Sequence, residues 1–161
     1  TASGVTVHLM DVGLDTGPIL IQSRGPLAEG ETEEALELRL AVLAGELMTQ
    51  ALAGLRDATI IPQPQHSAQA TAHPWPRAED YTIPAAQWSA RRAYIFACGI
   101  IGRGQPIALV ASDGQRFRLA APLGYDASAT LDAPWRLDGE RLALACSPGV
   151  FTCRPESEAA R

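Results

Sequence analysis

Two short apolar runs near the start of the chain, Val5-Thr6-Val7-His8-Leu9-Met10 and Ile19-Leu20-Ile21, are separated by Asp11-Val12-Gly13-Leu14-Asp15-Thr16-Gly17-Pro18. That pattern predicts a strand, a glycine-punctuated acidic loop and a second strand. Gly25-Pro26 breaks the second run. Thr32 then stands where a helix N-cap is expected, with Glu33, Glu34 and Glu37 placed to interact with the positive end of the helix dipole. Leu36, Leu40, Leu43, Leu47, Ala51 and Leu55 recur at helical spacing, which predicts a long helix with one apolar stripe facing a core. Glu37, Arg39, Glu46 and Gln50 fall off that stripe.

Periodicity fades between residues 60 and 84, where Pro62, Pro64, Pro74, Pro76 and Pro84 are interleaved with Gln, Ser, Ala and Thr. This composition predicts an extended surface linker. Pro84 can open a second helix at its first position, running through Trp88, Arg91, Arg92, Tyr94 and Phe96 to a stop at Gly99. Beyond it, Ile107-Ala108-Leu109-Val110 and Phe117-Arg118-Leu119 flank Asp113-Gly114, a hairpin signal. Asp138-Gly139 and Pro148-Gly149 mark further turns around Leu142-Ala143-Leu144-Ala145. Short strands with regular turns predict a small β-barrel. The expected organisation is an α/β portion over 1–59, a Pro-rich linker over 60–84, a helix plus barrel over 85–155 and a tail over 156–161.

Composition narrows this only modestly, since 47% hydrophobic and 19% charged residues are ordinary for a folded protein. No stretch reads as a bilayer span or a secretory signal, so a cytoplasmic protein with no membrane partner is expected. Cys98, Cys146 and Cys153 are odd in number and lack metal-ligand spacing, which predicts reduced, buried thiols and no metal site. The net charge of −5 is uneven: residues 1–79 carry −6, residues 80–155 carry +2, and every basic residue is arginine. That is a weak footprint for a polyanion-binding surface. Arg91, Arg92, Arg103, Arg116 and Arg118 could line one side of the barrel or simply form a solvated face. Trp75, Trp88 and Trp135 are expected to pack the linker and helix against it.

Candidate chemistry sits in the acidic loop. The run Gly4-Val5-Thr6-Val7-His8-Leu9-Met10-Asp11-Val12-Gly13-Leu14-Asp15-Thr16-Gly17, followed by an apolar strand, resembles the folate-loop and catalytic-aspartate segment of the 10-formyltetrahydrofolate-dependent formyltransferases, above all the methionyl-tRNA branch. The helix after it and the hairpin-rich C-terminal part fit the same order of elements. The resemblance implies an α/β catalytic-domain fragment followed by a small OB-like β-barrel domain. It implies formyl transfer from 10-formyltetrahydrofolate to an amine, methionyl-tRNA or a small amine such as an amino sugar. Asp15 would be catalytic, Asp11, Val12, Gly13 and Leu14 would embrace the folate, and His8 could support them from the preceding strand.

Transfer needs an attacking amine, a stabilised oxyanion and an exit for the amine proton. In the family an Asn-x-His motif supplies the first two of three catalytic side chains, and the aspartate orients that histidine and favours its charged form, or holds a water in the proton relay. This chain has no asparagine, and His8, His66 and His73 lie in no such motif. It also opens on Thr1-Ala2-Ser3. The expectation is therefore the C-terminal part of a longer protein, inactive alone, whose N-terminal portion is its first partner and initiator tRNA a possible second. Thr71-Ala72-His73-Pro74 replaces the family's Thr-Tyr-Ala-x-Lys linker segment. Rival expectations are hydrolysis of formyltetrahydrofolate, with water in place of the amine, and a non-catalytic binding module that keeps the fold.

Overall fold

The computed structural model describes residues 2–157. Two compact units are present, one built from 2–28 with Glu34–Pro74, the other from Glu29–Glu33 with the chain from Trp75 onward.

In the first unit, β1 (Ala2–His8) and β2 (Ile19–Pro26) pair antiparallel in the register Val5↔Ser23 and Val7↔Ile21. Helix α1 (Glu33–Arg56) follows, beginning directly after Thr32 as the capping pattern predicts. Its expected stripe faces inward. Leu47 and Ala51 are buried and, with Val7, make a small core against which Val5, Leu20, Ile21, Leu43 and Ile60 pack. Leu55 departs from the stripe and is exposed, because Gly54 takes the inward position and lets Ile60 approach the helix; a Cβ on Gly54 would lie 2.5 Å from the Ile60 side chain.

The opposite side of α1 is apolar too: Leu38, Val42, Met48 and Leu52 are all exposed. By length and composition alone α1 is apolar enough to cross a bilayer, because two of its sides are apolar. A helix enclosed by protein on two sides has the same composition, and α1 carries Glu33, Glu34, Glu37, Arg39, Glu46 and Arg56 along its length.

In the second unit six strands form one open mixed sheet of order β3-β4-β5-β8-β7-β6. They are β3 (Thr82–Pro84), β4 (Ala108–Val110), β5 (Arg116–Asp126), β6 (Trp135–Asp138), β7 (Arg141–Ala145) and β8 (Val150–Pro155). All three expected hairpin turns occur, with Gly114, Gly139 and Gly149 at positive φ. The terminal strands β3 and β6 do not pair with each other among the described residues, so the expected small barrel is not closed.

Helix α2 (Ala90–Ile100) packs on β5 and β8. It does not start at Pro84, as its sequence had suggested. Pro84 ends β3, an edge strand parallel to β4, where a missing backbone N–H is tolerated. The helix instead starts after Ser89, whose hydroxyl accepts from the Arg92 backbone N–H at 3.2 Å. Ala90, Ala93 and Ala97 lie against Ile83, Leu109, Leu119, Leu142, Leu144, Phe151 and Cys153, all fully or nearly fully buried. Small alanines let the helix come close to the sheet. The cysteines are free thiols, and burial pushes Cys146 up to about 11 and Cys153 up to about 12.

The segment 60–84 is more structured than an extended linker: Gln63 bridges to Ile19, short 3-10 turns occur at Ser67–Gln69 and Ala78–Tyr81, and β3 closes it. Trp75 is exposed rather than packed, whereas Trp88 meets Phe96 edge to face and Trp135 meets Phe117. At the other end Glu156 is held by its backbone N–H donating to Arg118 O at 2.8 Å, and residues 158–161 of the expected tail lie outside the described residues.

The segment Glu29–Glu33 is fixed within the second unit. Arg91 donates twice to Glu29 Oε2, at 3.0 and 2.8 Å, Tyr125 donates to Glu29 Oε1, and Arg103 meets Glu33 at 2.5 Å. The Tyr125 hydroxyl and then Arg91 hold the Glu29 carboxyl below its ordinary value. A lowered carboxyl contributes stability that is complete above the unfolded pKa, about 4.3, and is lost as pH falls through the folded value. Glu29→Gln should therefore be less stable than the parent at pH 7, and the gap should be smaller at a pH below about 4.3. Urea unfolding at both pH values measures it; an unchanged gap would refute the assignment.

Candidate active site

The acidic loop joins β1 to β2, so two strand ends fix its feet. Leu9 N–H donates to Pro18 O at 2.9 Å and closes the loop base. Two glycines let the chain fold tightly there. A Cβ on Gly17 would lie 1.7 Å from the Leu9 carbonyl oxygen, and one on Gly13 would lie 2.2 Å from Thr16 Oγ1.

Within the loop, Asp11 acts as an internal brace. Its Oδ1 accepts from Thr16 Oγ1 at 2.6 Å and from the Gly13 N–H at 2.9 Å. Those two bonds, the Thr16 hydroxyl first, lower the Asp11 pKa. Its carboxylate is thus occupied in shaping the loop, while Val12 and Leu14, with neighbouring Met10, turn their apolar side chains almost entirely to solvent. Adjacent exposed apolar side chains of this size mark contact surfaces more often than plain connections.

Asp15 stands at the loop tip with φ 57, one of two non-glycine residues at positive φ among those described. Its side chain is 82% exposed, and its Oδ1 lies 3.8 Å from His8 Nε2. The His8 Nδ1 is 2.9 Å from Leu9 O, which can only accept, so Nδ1 carries a proton and Nε2 faces the aspartate. The structure thus brings His8 and Asp15 together, with Asp11, Val12, Gly13 and Leu14 on the same loop. His66 and His73 lie in the segment between Gln63 and β3, outside the acidic loop. Sequence reading missed Gln65, whose side-chain Nε2 donates to Asp15 O at 2.8 Å and Gly17 O at 2.7 Å. No residue-type pattern pointed to it, because a glutamine among prolines reads as a solvated linker residue.

The five C-terminal arginines do not act as one free set. Arg91 pairs with Glu29, Arg92 lies 4.1 Å over the Trp88 ring, Arg103 pairs with Glu33, and Arg118 is 3.9 Å from Glu156. A different pair, Arg136 and Arg141, lines a shallow cleft of about 390 Å³ in the second unit, with Asp126, Asp138, Thr130 and Thr152. Two acids among its lining residues offset the two arginines. No group of His, Cys, Asp and Glu suited to a metal ion occurs among the described residues.

A strand, a braced acidic loop bearing Asp15, a return strand and a long helix, followed by a mixed sheet covered by one helix, make a formyltransferase-like fold. Residues 1–52 match the formyl transferase family. The methionyl-tRNA formyltransferase of Anaeromyxobacter sp. (strain K) is 36% identical over 159 residues, covering 92% of this chain and 48% of that protein. That of Synechococcus sp. (strain JA-2-3B'a(2-13)) is 31% identical over 161 residues, covering 97% and 47%. The chain thus spans about half the length of these relatives. Its fold is also that of part of the N-formyltransferase from Helicobacter canadensis, solved with folinic acid and dTDP-3-aminofucose, with a TM-score of 0.70, 14% identity and coverage of 96% of this chain and 55% of that one.

Proposed function

We propose that the protein carrying this chain transfers the formyl group of 10-formyltetrahydrofolate to an amine, with methionyl-tRNA the favoured acceptor. The observation that carries this reading is Asp15, presented at the tip of a braced loop, exposed and beside an imidazole. In the reaction the amine nitrogen attacks the formyl carbon, the carbonyl oxygen takes up charge, the bond to the folate nitrogen breaks with its electron pair left on that nitrogen, and the proton lost by the amine ends there. Asp15 serves the last step by stabilising the cationic form of the Asn-x-His histidine supplied by the N-terminal portion, or by holding the water that carries the proton. The loop backbone from Asp11 to Leu14 offers donors and acceptors to the folate ring, and Val12 and Leu14 offer apolar surface. His8 supports the carboxylate from β1.

Oxyanion stabilisation is assigned to the N-terminal portion of the complete protein, as the absence of asparagine from this chain requires if the family's Asn-x-His motif is used. The exposed apolar side of α1 supports such a covering portion, as do relatives about twice as long. A small OB-like domain is proposed for the second unit on the order of its hairpins. An amino sugar remains the second acceptor, favoured by one observation: most of the arginines that could have faced tRNA are paired internally.

The test uses the complete protein with 10-formyltetrahydrofolate and methionyl initiator tRNA, and a nucleotide-linked amino sugar as competing acceptor. Formyl-methionyl product, with tRNA binding that weakens steeply with salt, is expected. Formylation of the sugar alone moves the acceptor; release of formate alone establishes hydrolysis instead. The 161-residue chain by itself should give no turnover above background, and saturable turnover would remove the need for a second portion.

A further inference from the structure

Asp15 holds a left-handed backbone conformation without glycine's freedom. Aspartate enters that region more readily than most residues, yet its Cβ still disfavours it relative to glycine, so contacts to the neighbouring backbone help decide whether it stays there. The ties inside the loop run from the Asp11 carboxylate to Gly13 and Thr16, and neither reaches the carbonyls of Asp15 or Gly17. Those two carbonyls are taken by one side-chain amide from 48 and 50 residues away, that of Gln65. Both partners are pure acceptors, so the NH₂ group and not the amide oxygen must face them. The delivery of that amide is also fixed: Gln63 exchanges two backbone bonds of 2.8 Å with Ile19, which places Gln65 two residues beyond an anchored point.

We propose that Gln65 is a positioning residue, whose carboxamide clamps the carbonyls on either side of Thr16 and so keeps Asp15 in the left-handed turn that sets its carboxylate beside His8. The consequence for catalysis rests on the reading of Asp15 given above; the clamp itself does not. An exposed glutamine that merely fills space would be replaced without effect by a side chain of the same shape. A clamp requires the donors. Glutamate keeps the shape and turns carboxylate oxygens toward two carbonyls, whereas arginine restores donors at similar reach.

The experiment is NMR on the isotopically labelled 161-residue chain and its Gln65→Glu, Gln65→Arg and Gln65→Leu variants. It reads the Asp15 and Gly17 carbonyl shifts, the Asp15 Cα and Cβ shifts that report the left-handed turn, and the His8 ring nitrogens with and without Asp15→Asn. Gln65→Glu and Gln65→Leu should move the carbonyl signals, return the Asp15 shifts toward those of an ordinary loop, and make the His8 signals indifferent to Asp15→Asn. Gln65→Arg should restore the parent pattern. Because Gln65 is exposed, the thermal midpoints should agree within about 2 °C. Parent-like spectra from Gln65→Glu overturn the proposal, as does loss of the turn in all three variants together with a large fall in midpoint, which would make the residue a packing element. Should Asp15→Asn in the complete protein leave formyl transfer untouched, the catalytic reading of Asp15 falls while the clamp stands.

Discussion

Asp15→Asn in the complete protein should lower formyl transfer by roughly 10² to 10⁴ while leaving the fold intact. Asparagine has the shape of aspartate and tolerates the left-handed conformation seen at this position, so the loop has no steric reason to rearrange. What disappears is the negative charge offered to the histidine of the Asn-x-His motif in the complete protein. A neutral amide cannot favour a cationic ring and cannot accept a proton, so the barrier to losing the amine proton rises while folate and acceptor still bind. The loss should therefore fall on kcat, with little change in KM for the formyl donor. Circular dichroism and steady-state kinetics on the parent and variant decide the matter; turnover within a factor of about three of the parent would reduce Asp15 to a turn residue.

The second large effect is on stability. Phe151→Ala should cost about 3–5 kcal/mol, because the ring is fully buried and the surrounding sheet and helix cannot collapse into its space. Strand β8 lies between β5 and β7, and Phe151 is in register with Leu144 on one side and Tyr125 on the other. A cavity there touches both neighbouring strands and the alanine face of α2. A loss of this size is a large fraction of the stability of a small domain, and the thermal midpoint should fall by on the order of 12 °C or more. Leu137→Ala, half-exposed on edge strand β6, provides the control and should stay within about 0.5 kcal/mol. Denaturant unfolding of the two variants side by side tests the claim, and equal losses would contradict the placement of the core.

What was legible in the amino-acid sequence was what short-range physics dictates. The strand, acidic loop and strand of residues 5–21 follow from local apolar runs and glycines. Helix α1 follows from Thr32, three acids and a repeating leucine stripe. The turns at Asp113-Gly114, Asp138-Gly139 and Pro148-Gly149 follow from residues that accept positive φ. Asp15 stood out because the run around it resembles the catalytic-aspartate segment of the formyltransferases; taken alone, an aspartate before Thr-Gly reads as a turn residue.

The tertiary structure decided everything that depends on residues far apart in the chain. It made Pro84 the end of an edge strand parallel to β4 rather than the first residue of a helix, and it set β5 beside β8 instead of beside β6. It paired Arg91 with Glu29 and Arg103 with Glu33, which no charge count along the sequence could reveal. It also brought Gln65 to the carbonyls of Asp15 and Gly17. The physical reason is the same in each case. Turn and helix signals are encoded in the torsional and capping preferences of adjacent residues, whereas hydrogen bonds and ion pairs across 48 to 96 positions exist only after the chain has met the entropic cost of bringing those segments together.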